Sequence, residues 1–318
     1  MKDQLVTVFG GSGFVGRHVV RLLAAEGYRL RVVVRRPNLA HFLRPMGRVG
    51  QIQIVRGNLN DEASITRAVQ GADAVVNLVG LLSEWGKQKF KSLHAVAPGK
   101  IGEAAAAAGV KRVIQISAIG ADRKSPSRYG KTKAAGEEAL KSAFPAATVL
   151  RPSIVFGPED TFFNRFGNMA RYLPFLPLIG GGKTRFQPIY VGDVARAVAH
   201  VLAHGETAGR IYELGGPKVY TFRELLALIL RETGRHNPLV PVPFFIASLK
   251  AMVLGLLPSP VLTVDQVASL KRDNVVNARE GVGTHLDLGI QPTAVEAIVP
   301  SYLWRFRKNG QFETIPVS

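Results

Sequence analysis

The sequence predicts an α/β fold: a doubly wound parallel sheet with a smaller C-terminal α/β domain. Short runs rich in valine alternate with segments of helical spacing through the first half of the chain, and this rhythm breaks after Arg151. Strands that alternate with helices form parallel sheets covered by helices on both faces. The first half is therefore expected to form the sheet.

The predicted elements of the first half alternate between strand and helix. Strands are expected at 5–9, 30–34, 52–55, 74–79, 112–117 and 147–151. Helices are expected between them at 14–26, 62–70, 92–108 and 128–142. These segments define a first domain over residues 1–151.

The second half is assigned to the smaller domain, with one exception. Residues 152–190 form a loop-rich segment with Phe, Pro and Gly residues. Residues 191–216 contain one more helix and strand, "DVARAVAHVLAH" and "RIYELGG", which are expected to rejoin the sheet. The smaller domain therefore comprises 152–190 and 217–318.

Three later helices are expected to begin at capping boxes. In a capping box, a hydroxyl and a polar side chain three residues later satisfy free backbone N–H groups at a helix start. The pairs are Thr221 with Glu224, Thr263 with Gln266, and Thr293 with Glu296. They are structural signals and indicate no function.

The composition limits the chemistry and the partners. The 318-residue chain has no cysteine, which excludes disulfides, thiolate nucleophiles and cysteine-bound metals. Its formal net charge of +18 favours anionic partners, such as a phosphorylated ligand or an anionic membrane surface. Lysine and arginine are scattered and form no recognisable nucleic-acid module, so nucleic acid is not expected. The first strand begins by about Leu5, so no targeting peptide is expected.

The most apolar stretch of the chain is 239–262. Its prolines confine any helix to about 244–257, which is shorter than the roughly 20 residues that span a membrane. Two interpretations stay open. The segment is either an interfacial or partner-docking helix with Lys250 at its polar edge, or a core helix of the smaller domain.

A glycine-rich turn predicts a Rossmann-like dinucleotide site. In "TVFGGSGFVGRHVVRLL", Gly10, Gly13 and Gly16 lie directly after a strand and directly before a helix. Small residues there let the backbone approach a pyrophosphate, and the helix start offers free N–H groups to it. The expected contacts of this turn are Gly10, Ser12, Gly13, Phe14, Val15 and Gly16.

The end of the second strand indicates which dinucleotide is bound. NAD sites place an acidic residue there, about 20 residues past the glycines, to bind the ribose hydroxyls. This chain has Arg35 and Arg36 instead, which can pair with a 2′-phosphate. The sequence thus predicts NADPH as the cofactor. The alternative is that the two arginines only solvate a loop.

Tyr129 and Lys133 form a candidate acid/base pair. Their spacing places both side chains on one face of a helix. A nearby ammonium favours the tyrosinate, which lets the phenol exchange a proton near neutral pH.

Together these motifs resemble the short-chain dehydrogenase/reductase superfamily, in its extended or atypical branch. The resemblance rests on "GGSGFVG", "GNLND", "VVNLVG", the Tyr129–Lys133 pair and "LRPSIVFGP". It implies that further residues line the cofactor: Asn58 and Leu59 near the adenine, Leu78, Val79 and Gly80 along the cofactor, and Pro152, Ser153, Ile154 and Val155 near the nicotinamide. The family pattern has aspartate where Asn58 stands, which implies a weaker adenine contact.

The third member of the family's catalytic set is missing from its expected place. Active relatives carry Ser or Thr just past the fifth strand, whereas Ala118 and Ile119 follow Ser117 here. Ser117 lies early for that role and is expected to contact the cofactor, although Ser125 or Ser127 could fold back. The resemblance implies cofactor binding and leaves catalysis open.

A narrower resemblance covers almost the whole chain. Three blocks, "SPSRYGKTKAAGEEALKSAFPAATVLRPSIVFGPEDTFFNRF", "QPIYVGDVARAV" and "PVPFFIASLK", are similar to the nucleotide-binding accessory subunits of respiratory complex I. That family implies NADPH held without turnover, in the peripheral arm beside other complex I subunits. The implied location is the cytoplasmic face of a bacterial inner membrane or the matrix face of a mitochondrial one.

Two other function classes stay open. One is an active NADP-dependent reductase or nucleotide-sugar epimerase with Tyr129 as its acid/base. The other is a free-standing binding protein that senses NADP(H).

Other polar groups carry weaker signals. His200 and His204 have metal-ligand spacing, but no third ligand is evident, so no metal site is predicted. The adjacent acidic pairs 137–138 and 159–160 are expected to be solvated.

Overall fold

The protein is described here from a computed structural model. The structure describes residues 2–84, 86, 88–254, 262–277 and 279–312. The chain divides into two compact units. The first unit comprises Met1–Pro152, Gly192–Leu214 and Asn277–Gln291. The second comprises Ser153–Val191, Gly215–Val276 and Pro292–Ser318.

The strands of the described chain are numbered in chain order. They are β1 (Leu5–Phe9), β2 (Arg29–Val34), β3 (Ile52–Arg56), β4 (Ala74–Asn77), β5 (Arg112–Ile116), β6 (Thr148–Pro152), β7 (Val155–Phe156), β8 (Leu176–Ile179), β9 (Arg185–Phe186), β10 (Ile189–Tyr190), β11 (Ile211–Leu214), β12 (Tyr220–Thr221), β13 (Leu239–Val242) and β14 (Val282–Thr284).

The α-helices are numbered in the same way. They are α1 (Phe14–Ala25), α2 (Glu62–Val69), α3 (Ala97–Ala107), α4 (Arg128–Ala143), α5 (Phe162–Tyr172), α6 (Val191–Ala203), α7 (Phe222–Thr233), α8 (Phe244–Leu254), α9 (Val264–Ser269), α10 (Val295–Ile298) and α11 (Pro300–Leu303). A π-helical segment, Lys91–Val96, leads directly into α3.

The first unit is built on an eight-stranded sheet with the strand order β14-β11-β6-β5-β4-β1-β2-β3. All its strand pairs are parallel. The central strands are buried on both faces, which is why they read as continuous apolar runs such as "AVVN" in β4. The predicted doubly wound parallel sheet is confirmed.

Small residues bring α4 close to the π-helical segment and to α3. A Cβ atom on Gly136 would lie 1.8 Å from the backbone oxygen of His94, and one on Gly102 would lie 2.9 Å from the Cβ of Ala143. Any larger residue at Gly136 would collide with backbone. This close packing places the π-helical segment against the helix that carries Tyr129 and Lys133.

One segment lies in a different unit from the one that the sequence indicated. Residues 277–291 were assigned to the smaller domain, but Asn277–Gln291 belongs to the first unit. Its short strand β14 extends the sheet beside β11, and the backbone N–H of Asn277 donates to the buried Glu213 carboxylate at 2.9 Å. A three-residue strand, "VGT", has too little apolar periodicity to be recognised from sequence.

The second unit has an aromatic core. Phe156, Phe163 and Phe222 are fully buried in it, and α5 and α7 supply much of the surrounding apolar surface. Phe166 and Phe222 meet edge to face with ring centroids 5.4 Å apart. Short two-stranded pairs, β7 with β10, β8 with β13 and β9 with β12, connect the helices.

Two of the three predicted capping boxes are confirmed, at Thr221 for α7 and at Thr263 for α9. The third is wrong. The described helix α10 begins at Val295 with Ala294 in the capping position, and Glu296 instead accepts a hydrogen bond from the Tyr220 hydroxyl at 2.8 Å. The Glu296 carboxylate thus pairs with a side chain far away in the sequence instead of with a local cap.

Helix α8 is apolar on both of its sides. Ala247 and Ala251 are buried in the core of the second unit. Four large apolar side chains on α8 are exposed by 62–74% of their surface, namely Phe245, Leu249, Met252 and Val253. The remainder of the predicted helix, 255–257, lies outside the described residues. None of the helices in the described chain combines the length and apolar character that crossing a bilayer requires.

Candidate functional site

The glycine turn between β1 and α1 has the geometry of a phosphate cradle. Gly10 adopts a left-handed φ of 79°, which favours glycine. A Cβ on Gly16 would lie 2.2 Å from the Gly10 oxygen, so only glycine lets α1 start this close to the strand. Gly13 occupies the N-cap of α1, and no side chain of the described residues caps it. The first N–H groups of α1 can therefore bind an anion.

The other residues predicted for this turn lie in it or at the start of α1. Ser12 is half-buried in the turn, and Phe14 and Val15 open α1. The Phe14 ring meets His18 edge to face at 6.0 Å.

Arg35 and Arg36 directly follow β2, the strand beside β1. Because the two strands are parallel, their carboxyl ends lie at the same edge of the sheet, where the glycine turn also lies. Both arginine side chains are exposed, and neither pairs with a carboxylate among the described residues. The two guanidinium groups can therefore meet an anionic ligand.

The turn after β3 contains Asn58 and Leu59. Asn58 is exposed; its backbone N–H donates to the Ser64 hydroxyl at 2.9 Å, and its side-chain oxygen accepts from the N–H of Asn60 at 3.1 Å. Leu59 is buried beneath. The Asn58 oxygen thus closes its own turn, a task that an aspartate would also perform.

Leu78, Val79 and Gly80 follow β4 and cross the end of the sheet. The N–H of Leu78 donates to Phe9 of β1 at 3.0 Å, which ties this loop to the strand before the glycine turn. Gly80 is exposed, and a Cβ placed on it would lie 3.5 Å from the Lys133 Nζ. The structure thus brings the β4 loop and the dyad helix together.

Tyr129 and Lys133 lie on the first turns of α4, as predicted. The Lys133 Nζ donates to the backbone oxygen of Ile116 at 3.2 Å and stands 5.9 Å from the centre of the Tyr129 ring. Burial lowers the pKa of Lys133 to about 8, while Glu137 opposes that shift. The ammonium is therefore charged at neutral pH but weakly solvated, which strengthens its attraction to a phenolate or a ribose oxygen.

Glu137 belongs to a buried ion-pair chain behind the dyad. Arg151 donates to both Glu137 oxygens, at 3.0 Å and 2.6 Å, and lies 3.7 Å from the buried Glu213. The expectation that residues 137–138 are solvated is wrong for Glu137. It is also wrong for Asp160, whose buried carboxylate accepts from the Tyr302 hydroxyl at 2.6 Å in the second unit. Sequence neighbours on a helix or turn point in different directions, so adjacency did not reveal burial.

His94 is a member of the site that the sequence analysis missed. It is almost fully buried, stacks on Phe90 with ring centroids 5.1 Å apart, and meets the Tyr129 ring edge-on at 5.3 Å. Its Nε2 accepts from the backbone N–H of Leu81 at 2.8 Å, so the proton lies on Nδ1, which faces the Thr132 hydroxyl at 3.5 Å.

His94 therefore links the β4 loop to α4. Burial, and secondarily the charge of Lys133, lower the pKa of His94 to about 3, which keeps the imidazole neutral. The sequence gave no signal of this role, because His94 lies within a predicted helix and no recognisable motif surrounds it. Gly136 lets the backbone of α4 approach the backbone of His94, which places the imidazole beside Tyr129.

The hydroxyls after β5 are arranged for structure rather than for a catalytic set. Ser127 caps α4 by accepting from the N–H of Gly130 at 3.0 Å, and its hydroxyl lies 3.2 Å from that of Ser125. Both side chains are thus engaged at the helix start. The N–H of Ile119 donates to the Pro152 oxygen at 3.0 Å, which ties the loop after Ser117 to β6.

Ser117 itself ends β5 with a buried hydroxyl. Among the described residues, its Oγ has no hydrogen-bond partner. A buried hydroxyl without a partner costs roughly 1–3 kcal/mol, and a ligand oxygen or nitrogen would remove that cost. This orphaned group, the glycine cradle and the poorly solvated Lys133 ammonium fit a bound dinucleotide.

The remaining predicted residues divide between the units. Pro152 closes β6 in the first unit. Ser153, Ile154 and Val155 begin the second unit, where the Ser153 hydroxyl donates to the Asn274 side-chain oxygen at 2.7 Å and the Ile154 N–H donates to the same oxygen at 2.9 Å.

A third candidate metal ligand stands beside the two predicted histidines. The expectation that none exists is wrong, because Glu206 brings a carboxylate to within 4.8 Å of ligand atoms of His200 and His204. The short helical turn after α6 folds it back.

Comparison with known proteins decides the family. The profile of the NAD dependent epimerase/dehydratase family matches residues 6–215. The chain is 37% identical over 321 residues to the mitochondrial NADH dehydrogenase [ubiquinone] 1 alpha subcomplex subunit 9 of Arabidopsis thaliana, covering 96% of this chain and 79% of that one. The Mus musculus protein of the same name is 35% identical over 92% of this chain and 78% of its own length.

The chain belongs to the subunit 9 family, within the epimerase/dehydratase family. This confirms the resemblance read from the sequence. The chain is also 34% identical to a protein of Caulobacter vibrioides named ceramide reductase. That match covers 60% of this chain and 58% of the other protein.

Solved structures confirm the fold of this subunit 9 family member. An NADPH-dependent quinone oxidoreductase from Escherichia coli, in complex with NADPH, superposes with a TM-score of 0.74 at 21% identity, covering 94% of this chain and 99% of that one. A dTDP-glucose 4,6-dehydratase from Streptomyces venezuelae with NAD bound gives 0.72 at 21% identity, over 98% and 100%.

Proposed function

We propose that this chain is an accessory subunit of a respiratory complex I that binds NADPH and does not turn it over. One observation carries the proposal: the hydroxyls of Ser125 and Ser127, two candidates for the third catalytic group, are engaged at the start of α4, whereas the glycine turn leaves its helix start uncapped. Its relatives named as subunits of NADH dehydrogenase supply the assembly part of the proposal.

The first unit would hold the nucleotide through three anchors. The N–H groups at Gly13 would bind the pyrophosphate, and Arg35 and Arg36 would pair with the 2′-phosphate. Tyr129 and Lys133 would bind the nicotinamide ribose. The other contacts in this unit would come from Ser12, Phe14, Val15, Asn58, Leu59, Leu78, Val79, Gly80, Ser117 and Pro152.

A cofactor that is not consumed can still act. A ligand that binds only the folded state stabilises it by mass action, by about 2.7 kcal/mol at 100 times its dissociation constant. In that role NADPH would support the first unit, and through it the assembly of the peripheral arm. The second unit would then serve as the docking domain.

The second unit would dock at an anionic membrane surface beside other complex I subunits. The exposed face of α8, Phe245, Leu249, Met252 and Val253, supports this step because it is apolar, and the exposed Lys250 lies on the same helix. The net charge of +18 favours anionic lipid over a neutral surface. The location would be peripheral, on the cytoplasmic face of a bacterial inner membrane or the matrix face of a mitochondrial one.

An active NADP-dependent reductase or epimerase is the second candidate. It is favoured by the orphaned Ser117 hydroxyl, which lies at the end of β5, and by the intact Tyr129–Lys133 pair. In that case Ser117 would polarise a substrate oxygen and Tyr129 would exchange the proton.

Extraction of native membranes in mild detergent separates the two candidates. The accessory subunit would co-migrate with NADH:quinone reductase activity, and a Tyr129→Phe variant would assemble normally and leave that activity unchanged. A monomer that migrates apart from this activity and oxidises NADPH with a carbonyl substrate would contradict the proposal and support the second candidate.

A further inference from the structure

The last turn of α6 and the short turn that follows it bring together three metal-ligating side chains. His200 and His204 are one helical turn apart, and their rings stack with centroids 3.9 Å apart. Glu206 offers a carboxylate oxygen within 4.8 Å of both imidazoles. Among the described residues, the Glu206 carboxylate forms no hydrogen bond and no ion pair, although the chain carries 41 Lys and Arg residues.

The tautomer of His204 suits a ligand. Its Nδ1 lies 2.9 Å from the backbone oxygen of His200, so Nδ1 carries the proton and donates it to that oxygen. The Nε2 lone pair is then free to bind a metal ion. Metal-bound histidines commonly donate their other N–H to a backbone carbonyl in this way, which fixes the ring orientation.

The backbone beneath these side chains is clamped. The Arg112 guanidinium donates to the carbonyls of Val201 and His204, and to that of Gly205 at 3.0 Å. It also donates to the Thr207 hydroxyl at 2.9 Å, and that hydroxyl donates to the His204 oxygen at 2.7 Å. The backbone that carries the three ligands is therefore already held in place, so binding an ion costs little additional backbone entropy.

We propose that His200, His204 and Glu206 form a binding site for a divalent transition metal such as Zn²⁺. Two imidazoles and one carboxylate select borderline metals over Mg²⁺ and Ca²⁺, which prefer oxygen ligands. The ligand atoms already lie within 4.8 Å of one another, and the stacked imidazoles must turn out of their parallel arrangement for both lone pairs to reach one ion at the bond lengths of roughly 2.0–2.2 Å that Zn²⁺ requires. The bound ion links the end of α6 to the segment that follows and leaves one coordination position for water.

The full chain, freed of metal with a chelator, tests this by titration with Zn²⁺ and separately with Mg²⁺. One Zn²⁺ binds per chain and raises the melting temperature, whereas Mg²⁺ does neither. The visible spectrum of bound Co²⁺ reports the same site independently of stability.

Matched variants locate the ion. His204→Asn abolishes binding, Glu206→Gln weakens it by about 10-fold, and His236→Asn, at an exposed histidine elsewhere, leaves it unchanged. His200→Asn repeats the test at the second imidazole. The proposal is overturned if Zn²⁺ does not saturate, if all variants bind it equally, or if Glu206→Gln binds as tightly as the parent. Unfolding of each metal-free variant checks that the fold is intact.

Discussion

The turns after β1 and after β5 both follow central parallel strands, yet they differ in what they offer a ligand. At the first turn, a left-handed Gly10 and an uncapped helix start leave backbone N–H groups for an anion. At the second, the start of α4 is capped by Ser127, and its neighbour Ser125 is bound to that cap. The same sheet edge thus carries an uncapped helix start at the first turn, whereas the Ser125 and Ser127 hydroxyls at the second are used within the start of α4.

The largest expected effect comes from the first turn. Gly16→Ala would put a Cβ 2.2 Å from the Gly10 oxygen, and neither backbone can move freely. We expect a loss of about 3 kcal/mol or more in the free energy of unfolding, together with loss of nucleotide. Gly205→Ala, whose Cβ would meet its nearest neighbour at 3.8 Å, is the control. Denaturant unfolding measures both, and equal stability of the two variants would refute the cradle geometry.

The next effect concerns selectivity for the cofactor. Replacing Arg35 and Arg36 together by aspartate removes two charge-assisted contacts to a 2′-phosphate. Since hydrogen bonds to charged groups are worth about 1.5–3 kcal/mol, NADPH affinity should fall more than 10-fold while NADH affinity changes little. The double variant Arg67→Asp with Arg171→Asp, at two exposed positions elsewhere, changes the net charge by the same amount and is the control. Equal affinity of the parent for NADPH and NADH would contradict the prediction.

His94 links the loop after β4 to α4, and its removal should have an intermediate effect. His94→Phe keeps the ring packing on Phe90 but leaves the Leu81 N–H without its acceptor. We expect a loss of roughly 1–3 kcal/mol in stability and weaker nucleotide binding. His94→Gln, which can restore an acceptor, should recover part of both. If His94→Phe and His94→Gln were equally stable, the hydrogen bond from the Leu81 N–H would contribute nothing to the free energy of unfolding.

The pH dependence of His94 has a definite sign. Its folded pKa of about 3 lies below the ordinary value of 6.5, so between these values the unfolded state binds more protons than the folded one. The contribution of His94 to stability is therefore full above about pH 6.5 and is lost as the pH falls toward 3. Unfolding of the parent and of His94→Gln at pH 7 and pH 5 measures it; the parent should lose more stability. An equal loss in both would place the acid sensitivity elsewhere.

A pH effect of the opposite range, at alkaline pH, is expected at Lys133. Its pKa of about 8 lies below the ordinary 10.5, so the nucleotide-free protein gains stability from this group as the pH rises from about 8 to 10.5. Lys133→Met should lack this gain. Comparing the parent with that variant at pH 8 and pH 10 cancels the other titrating groups, and identical slopes would show that Lys133 is not desolvated.

The sequence predicted the sheet, the glycine turn and the position of the Tyr129–Lys133 pair because each has a local signature of period, turn chemistry or spacing. It could not predict His94, whose role depends on a backbone approach made possible by Gly136 on another helix. Nor could it place Glu206 beside His200 and His204, or Glu137 inside an ion-pair chain with Arg151. The first depends on the exact geometry of the short turn after α6, and the second on packing between elements; periodicity along one element encodes neither.

The nucleotide released on denaturing the purified protein tests the central claim most directly. We expect NADPH, one per chain, still reduced after the protein has been incubated with quinone and with carbonyl compounds. Release of no nucleotide or of NAD would contradict the site as described. Conversion of the bound NADPH to NADP⁺ by a carbonyl compound would show that the site is catalytic.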